Sequence, residues 1–216
     1  MQCNYTEGGP LPLSHQASEF LSRFLRQRLN HLHRSILVSD QNGPENLALF
    51  IERYVGLAAD IVATLNNVIN SIGISGEMAY QVAMAQQFLD IPPTIVSREQ
   101  GLESQMYQAY LACRLAEELN DVVHSHCSSP VISVDLTKSN VIVHHIIGEP
   151  FANQLDATIQ SLSGRLARAI ETDSVLRREL EVYCSRLGKD EMPSYSCLAE
   201  ACHIYLVYNS GESTSG

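Results

Sequence analysis

The sequence predicts a mainly α protein, a helical bundle of six to seven helices, with a short β-hairpin around residues 131–147 as an open alternative. Three observations support this fold class. Apolar residues recur every three or four positions over several long stretches, which places them on one face of a helix. Clusters of glycine, proline, serine and asparagine separate these stretches and mark turns. Hydrophobic residues make up 45% of the 216 residues, which is ample for a core.

The chain is predicted to contain one helical domain, over residues 15–208. A length of 216 residues fits one domain. Residues 1–14 contain two glycines and two prolines, which break regular structure, and we expect this segment to be disordered. We expect the same of residues 209–216, NSGESTSG, because this tail has no apolar residue with which to pack.

The helices are predicted from their apolar stripes and from the residues at their ends. Pro44 suits the first turn of the second helix, and Ser75 suits the N-cap of the third. Two adjacent prolines in the segment IPP separate the third helix from the fourth. The predicted helices span residues 15–38, 44–72, 76–89, 96–126, 151–170, 174–187 and 195–208.

Residues 130–150 fit two structures. Two runs rich in valine and isoleucine flank the segment TKSN, a pattern typical of a β-hairpin. Asp135 equally suits the start of one short buried helix that ends near Ile147. Periodicity does not separate these alternatives in so short an apolar run.

Composition and charge argue against two classes of partner. The formal charge of −10 opposes binding to the phosphates of nucleic acid. No run approaches the roughly eighteen apolar residues of a membrane span, and the N-terminus lacks the pattern of a secretory signal. We therefore expect a cytoplasmic protein.

The six cysteines show no repeated spacing, so we expect reduced and mostly buried thiols.

The segment EELNDVVHSHC, residues 117–127, holds the densest group of acids and histidines. On a helix Glu117, Asp121 and His124 share one face. An acid followed by a histidine three residues later occurs on two helices of di-iron carboxylate bundles. The leucine stripe of the same helix lies on the opposite face, which indicates instead a solvent-exposed acidic face. Tyr110 and Cys113 share the acidic face, so burial on both sides is a further alternative.

Glu200 and His203 form a second pair of the same spacing, in the last predicted helix. Because that helix is apolar nearly all round, we expect either a metal site or a hydrogen-bonded polar pair in the core. A ligand set for iron can be drawn from four segments in an order that loosely follows that of di-iron proteins, with irregular spacings and an Asp in place of one Glu. Its candidate residues are Glu52, Asp121, His124, His145, Glu149, Glu200 and His203.

These patterns leave three functional hypotheses, and whether the protein is an enzyme stays open. The chain has no phosphate-binding loop, dinucleotide fingerprint, nucleophile elbow or HExxH motif. The leading hypothesis is therefore a non-catalytic bundle that binds a partner protein, a second copy of itself, or a small apolar ligand in an interhelical pocket. The alternative is a metal-dependent oxidoreductase that uses iron. The third hypothesis is a helix-turn-helix transcriptional regulator, based on LDIPPTIVSR at residues 89–98.

Overall fold

The computed structural model describes residues 24–39, 42–91, 93–96, 101–128, 130–186 and 197–207. The predicted mainly α fold is confirmed: the described residues form eight helices and one small antiparallel sheet of two strands. The terminal segments 1–14 and 209–216, predicted to be disordered, lie outside the described residues. The elements are α1 (residues 24–29), β1 (Ile36–Val38), α2 (Gly43–Ile72), α3 (Gly76–Asp90), α4 (Leu102–Cys127), α5 (Thr137–Ile147), α6 (Phe151–Thr172), α7 (Ser174–Arg186), α8 (Leu198–Ala201) and β2 (Ile204–Leu206).

Helix α4 lies at the centre of the bundle and packs against α2, α3, α5, α6 and α7. Every residue from Met106 to Cys113 is buried. A helix that is buried on all sides has other elements packed around its whole circumference. In the C-terminal half of α4, one side of the helix packs against the protein, and Asp121 and His124 on the other side are exposed.

Helices α2 and α6 are amphipathic, as their apolar stripes predict. Helix α2 begins at Gly43, with Pro44 in its first turn, and ends at Gly73, whose φ of 76° is readily accessible to glycine. Helix α6 buries Leu155 and Ile159 one turn apart against the core. Ser75 occupies the N-cap position of α3, but its hydroxyl donates a hydrogen bond to Glu179 Oε1 at 3.1 Å and accepts none from the backbone N–H groups of the first turn.

Within residues 130–150 the chain forms a helix, α5, over Thr137–Ile147, and not a hairpin. Helix α5 buries Ile142, Val143, Ile146 and Ile147, the spacing of one helical face. The carboxylate of Asp135 accepts a hydrogen bond from the backbone N–H of Thr137 at 2.9 Å, just before the first turn. The small sheet lies elsewhere in the chain and joins β1 to β2.

The first and last predicted helices are too long. Residues 36–38, predicted as the end of a helix, are strand β1, and residues 204–206 are strand β2. Ile36 and Val38 are β-branched and fit a pleated sheet well, and a spacing of apolar residues compatible with a helix does not exclude a strand over three residues. Helix α8 ends at Ala201 because His203, with φ of 58°, turns the chain into β2.

Cys127 and Cys184 form a disulfide that joins the end of α4 to α7. The expectation of reduced thiols is therefore wrong for this pair. Cys113 and Cys202 are free and buried, as expected, and Cys197 is free and half-buried. None of the described helices is long and apolar enough to cross a membrane.

Candidate functional site

A cleft of about 450 Å³ opens between helices α4, α5 and α6. This volume lies within the range of sites that hold small molecules. One face of α4 and one face of α5 supply most of its wall, because residues three, four and seven positions apart share a helix face. The lining residues are Tyr110, Arg114, Glu117, Thr137, Asn140, Val141, His144, His145, Glu149 and Asp156.

Glu117 is a buried carboxylate at the floor of the cleft. It accepts hydrogen bonds from the guanidinium of Arg114, from Thr137 Oγ1 at 2.7 Å and from Asn140 Nδ2 at 2.6 Å. The amide oxygen of Asn140 in turn accepts a hydrogen bond from the buried hydroxyl of Tyr54 at 2.5 Å. A charge removed from water is tolerated when donors surround it in this way.

Arg114 joins three carboxylates. Besides Glu117, its Nη2 lies 2.8 Å from Glu118 Oε1 and its Nε lies 3.6 Å from Asp156 Oδ1. Burial acts to lower the pKa of Arg114, but the charge of Glu117 and its hydrogen bond outweigh burial and raise the pKa overall. The guanidinium therefore stays charged, and its three nitrogens all face carboxylate oxygens.

Asp156 holds two further groups of the cleft wall. Its Oδ1 accepts a hydrogen bond from the Tyr110 hydroxyl at 2.7 Å, and its Oδ2 lies 3.3 Å from His144 Nε2. Because Asn153 Oδ1 also lies 3.2 Å from that nitrogen, we assign the ring proton of His144 to Nε2. Burial, followed by the hydrogen bond to Asp156, raises the pKa of Tyr110, which keeps this hydroxyl a donor.

Two histidine rings stand side by side in the cleft wall. The rings of His144 and His145 meet edge to face with centroids 5.8 Å apart. His145 also stacks on His33, from the segment between α1 and β1, at 5.6 Å. Burial lowers the pKa of His145, and the neighbouring imidazoles of His144 and His33 lower it further, which favours a neutral ring at neutral pH. The guanidinium of Arg28 lies close to Gly148: a Cβ atom added to Gly148 would sit 2.7 Å from Arg28 Nη1.

Cys113 lies behind the cleft floor and does not line the cleft. Its side chain is fully buried beside the hydroxyl of Tyr54. Burial raises the pKa of the Cys113 thiol to about 12, although the hydrogen bond with Tyr54 opposes this. Because the thiolate is the nucleophilic form of cysteine, this thiol is not activated for catalysis.

The structure does not bring the seven candidate iron ligands together. His145 and Glu149 line the cleft, and none of the other five does. Glu52 lies on α2, whereas Asp121 and His124 are exposed on α4 beyond the cleft. Across the part of the chain that the structure describes, no three His, Cys, Asp or Glu side chains are grouped so that they could hold a metal.

Glu200 and His203 do not form a buried pair. Both residues are exposed, since α8 has only four residues and the chain turns at His203. Glu200 pairs instead with Lys138, at 3.0 Å between its Oε1 and Nζ. The helix-turn-helix hypothesis stays a prediction: α3 ends at Asp90, a turn follows at residues 94–96, and Arg98 lies outside the described residues.

Sequence patterns left several members of the cleft unassigned, among them Arg114, Asn140, His144 and Asp156. The clearest available signal is on α4, where Tyr110 lies on the same face as Glu117 and Arg114. An aromatic residue on an acidic face indicates a partner packed over that face. Helix α5 is that partner, and it brings Asn140 and Thr137 to Glu117.

The fold and the cleft define a helical protein with a cleft lined mainly by polar residues. Comparisons with protein-family models, with curated proteins and with solved structures gave no match to this chain. A fold alone does not imply a function, so the chemistry of the cleft is what bears on function.

Proposed function

We propose that the protein binds a small polar molecule in the cleft between α4, α5 and α6. One observation carries this proposal: buried Glu117, with half-buried Arg114 and Asp156, forms a charged network in the wall of an open cleft. Buried charges are costly to desolvate, and apolar residues of similar volume are often at least as stabilising. Charged groups that converge on a cavity are typical of ligand recognition.

The side-chain types of the lining favour a ligand with a polar group beside an apolar part over the wholly apolar ligand that the sequence suggested. Val141 is the one aliphatic residue among the ten that line the cleft. An apolar molecule would cover charged groups without replacing their contacts with water, which is unfavourable. Tyr110 and the two histidines add flat faces against which a polar ring or an alkyl chain can pack.

The same lining favours binding over nucleophilic catalysis. Thr137 is the one serine or threonine among the lining residues, and its hydroxyl donates to Glu117. The nearest buried thiol, that of Cys113, is protonated at neutral pH because burial raises its pKa. Glu117 accepts the hydrogen bond of Thr137 but is also held by Arg114 and Asn140, which makes it a weak base. The neighbour of Cys113 is the hydroxyl of Tyr54, which is not a base at neutral pH.

A thermal-shift screen with a matched pair of variants tests the proposal. Val141 lines the cleft and is 39% exposed, and Val182 on α7 is 37% exposed and does not line it. We expect polar compounds that raise the Tm of the wild-type protein to lose their effect in Val141→Trp, where the indole fills the cleft. The same compounds should keep their effect in Val182→Trp. Compounds that bind both variants equally, or a diverse polar library without hits, would refute binding in this cleft.

A second candidate function, self-association or binding of a partner protein, is favoured by the small sheet. Leu37 and Tyr205 lie opposite each other in the register of β1 and β2, and both are exposed. Adjacent exposed apolar side chains mark interaction surfaces. We expect dimers in sedimentation-velocity experiments at high protein concentration, absent in Leu37→Glu and present in the control Val175→Glu. A monomer at every concentration would exclude self-association.

The cytoplasm, which the sequence predicts as the location, stays a proposal. The Cys127–Cys184 disulfide weighs against it, because thiols are kept reduced in the cytosol. Alkylation of the protein inside its native cells, followed by mass spectrometry, tests the proposal. Alkylation of both cysteines supports the cytoplasm, and protection of both points to an oxidising compartment.

A further inference from the structure

Resting on the proposed function, we infer that the ligand is a small organic cation, such as a primary amine. Three features of the cleft support this class of ligand: the charge of its lining, the contacts that already occupy its one lining guanidinium, and the flat rings beside its carboxylates. Each feature also argues against an anionic ligand.

The charge of the lining is negative. Glu117, Glu149 and Asp156 are three carboxylates, and Arg114 is the one guanidinium among the lining residues. These four side chains carry a net formal charge of −2. The whole chain has the same sign, at −10. A cleft with a net charge concentrates ligands of the opposite charge.

Arg114 is not free to bind an anion. All three of its guanidinium nitrogens face carboxylates, on Glu117, Glu118 and Asp156. An anionic ligand would have to displace one of them and leave a carboxylate without its partner. Glu149, in contrast, is an exposed carboxylate in the lining. A carboxylate offers about four acceptor sites, so Asp156 also keeps acceptor capacity beside its contacts with Tyr110 and His144.

The rings suit an organic cation. Tyr110 and His144 are tilted by 59° with centroids 6.3 Å apart, and His145 meets His144 at 79°. Faces in different orientations beside carboxylates can contact both an ammonium group and its alkyl chain. An inorganic cation fits less well, because the described residues contain no group of three side chains arranged to hold a metal.

Three probes of one size and different charge test the inference: n-butylamine, n-butanol and butyrate. Backbone amide signals are followed by NMR during titration of the full chain at constant ionic strength. We expect n-butylamine alone to shift the signals of α4, α5 and α6 around the cleft, and to do so with saturation. Titrations are repeated with Glu149→Gln and with Glu171→Gln, a matched removal of one exposed charge on α6 outside the cleft lining.

We expect Glu149→Gln to weaken n-butylamine binding by about tenfold, because a hydrogen bond to a charged group is lost, and Glu171→Gln to leave it unchanged. Equal weakening in both variants would show attraction to net charge only and would overturn the inference. The inference would also be overturned if magnesium chloride shifted the same amide signals, or if n-butylamine shifted none of them. If n-butanol or butyrate bound in the cleft instead, the ligand would not be a cation, but the proposed binding of a polar molecule would still hold. That proposed function is tested separately, by the thermal-shift screen with Val141→Trp.

Discussion

Replacing Arg114 with methionine is expected to destabilise the protein by about 3–5 kcal/mol, because it leaves a buried carboxylate without its cation. The three carboxylates around Arg114 differ in exposure: the side chain of Glu117 is 11% exposed, that of Asp156 23% and that of Glu118 31%. The two more exposed pairs contribute about 0.2–1 kcal/mol each, since water screens them. Most of the loss therefore comes from Glu117, which keeps only two neutral donors.

Urea unfolding followed by circular dichroism measures this loss, with two further variants as controls. Glu118→Gln removes only the most exposed partner and should cost less than about 1 kcal/mol. The double variant with Arg114→Met and Glu117→Gln should be more stable than Arg114→Met alone, because no uncompensated charge stays buried. If Arg114→Met costs no more than Glu118→Gln, or the double variant recovers nothing, Glu117 is not a buried charge and the network described above is wrong.

Three further predictions concern the disulfide, the second layer of the network and pH. Cys184→Ser opens a disulfide between residues 57 positions apart and should lower the unfolding free energy by about 4 kcal/mol; added reductant should do the same to the wild-type protein and nothing to the variant. Tyr54→Phe should cost about 1–3 kcal/mol, because it leaves the buried oxygen of Asn140 without its donor, whereas Tyr205→Phe at an exposed position should be nearly neutral in the same urea assay. Burial and two neighbouring imidazoles lower the pKa of His145 below its usual 6.5, so the unfolded chain takes up this proton first. Stability should therefore fall as pH drops below 6.5, and a urea midpoint with the same pH dependence in His145→Gln would contradict this assignment.

The sequence predicts the helices well where an apolar stripe is long and its ends are marked. Helix α2 is the best case, since Pro44 lies in its first turn and Gly73 ends it within one residue of the predicted boundary. Prediction fails where an element is short. β1 and β2 have three residues each, and the pairing that stabilises them joins residues more than 160 positions apart, which no local pattern contains.

The segment EELNDVVHSHC shows why a helix face cannot be assigned as a whole. Its acidic face is buried at Glu117 and exposed at Asp121 and His124, although the three residues share that face. The difference arises along the helix axis: α5 packs over α4 at Glu117, whereas Asp121 and His124 lie one and two turns further along and are exposed. The spacing of apolar residues, taken over the whole helix, averages these two environments and so predicts one environment for the whole face.

The cleft itself depends on the one segment whose structure the sequence left open. As a hairpin, the residues TKSN form an exposed turn, and Thr137 and Asn140 lie away from the core. As helix α5, they lie three positions apart on one face and both donate to Glu117. Asn140 is suited to this position because its amide both donates and accepts, and so links the carboxylate of Glu117 to the hydroxyl of Tyr54. His144, one turn further along the same face, then meets Asp156. The site thus follows from the backbone of eleven residues, and a sequence pattern that does not separate helix from strand over those residues cannot reveal it.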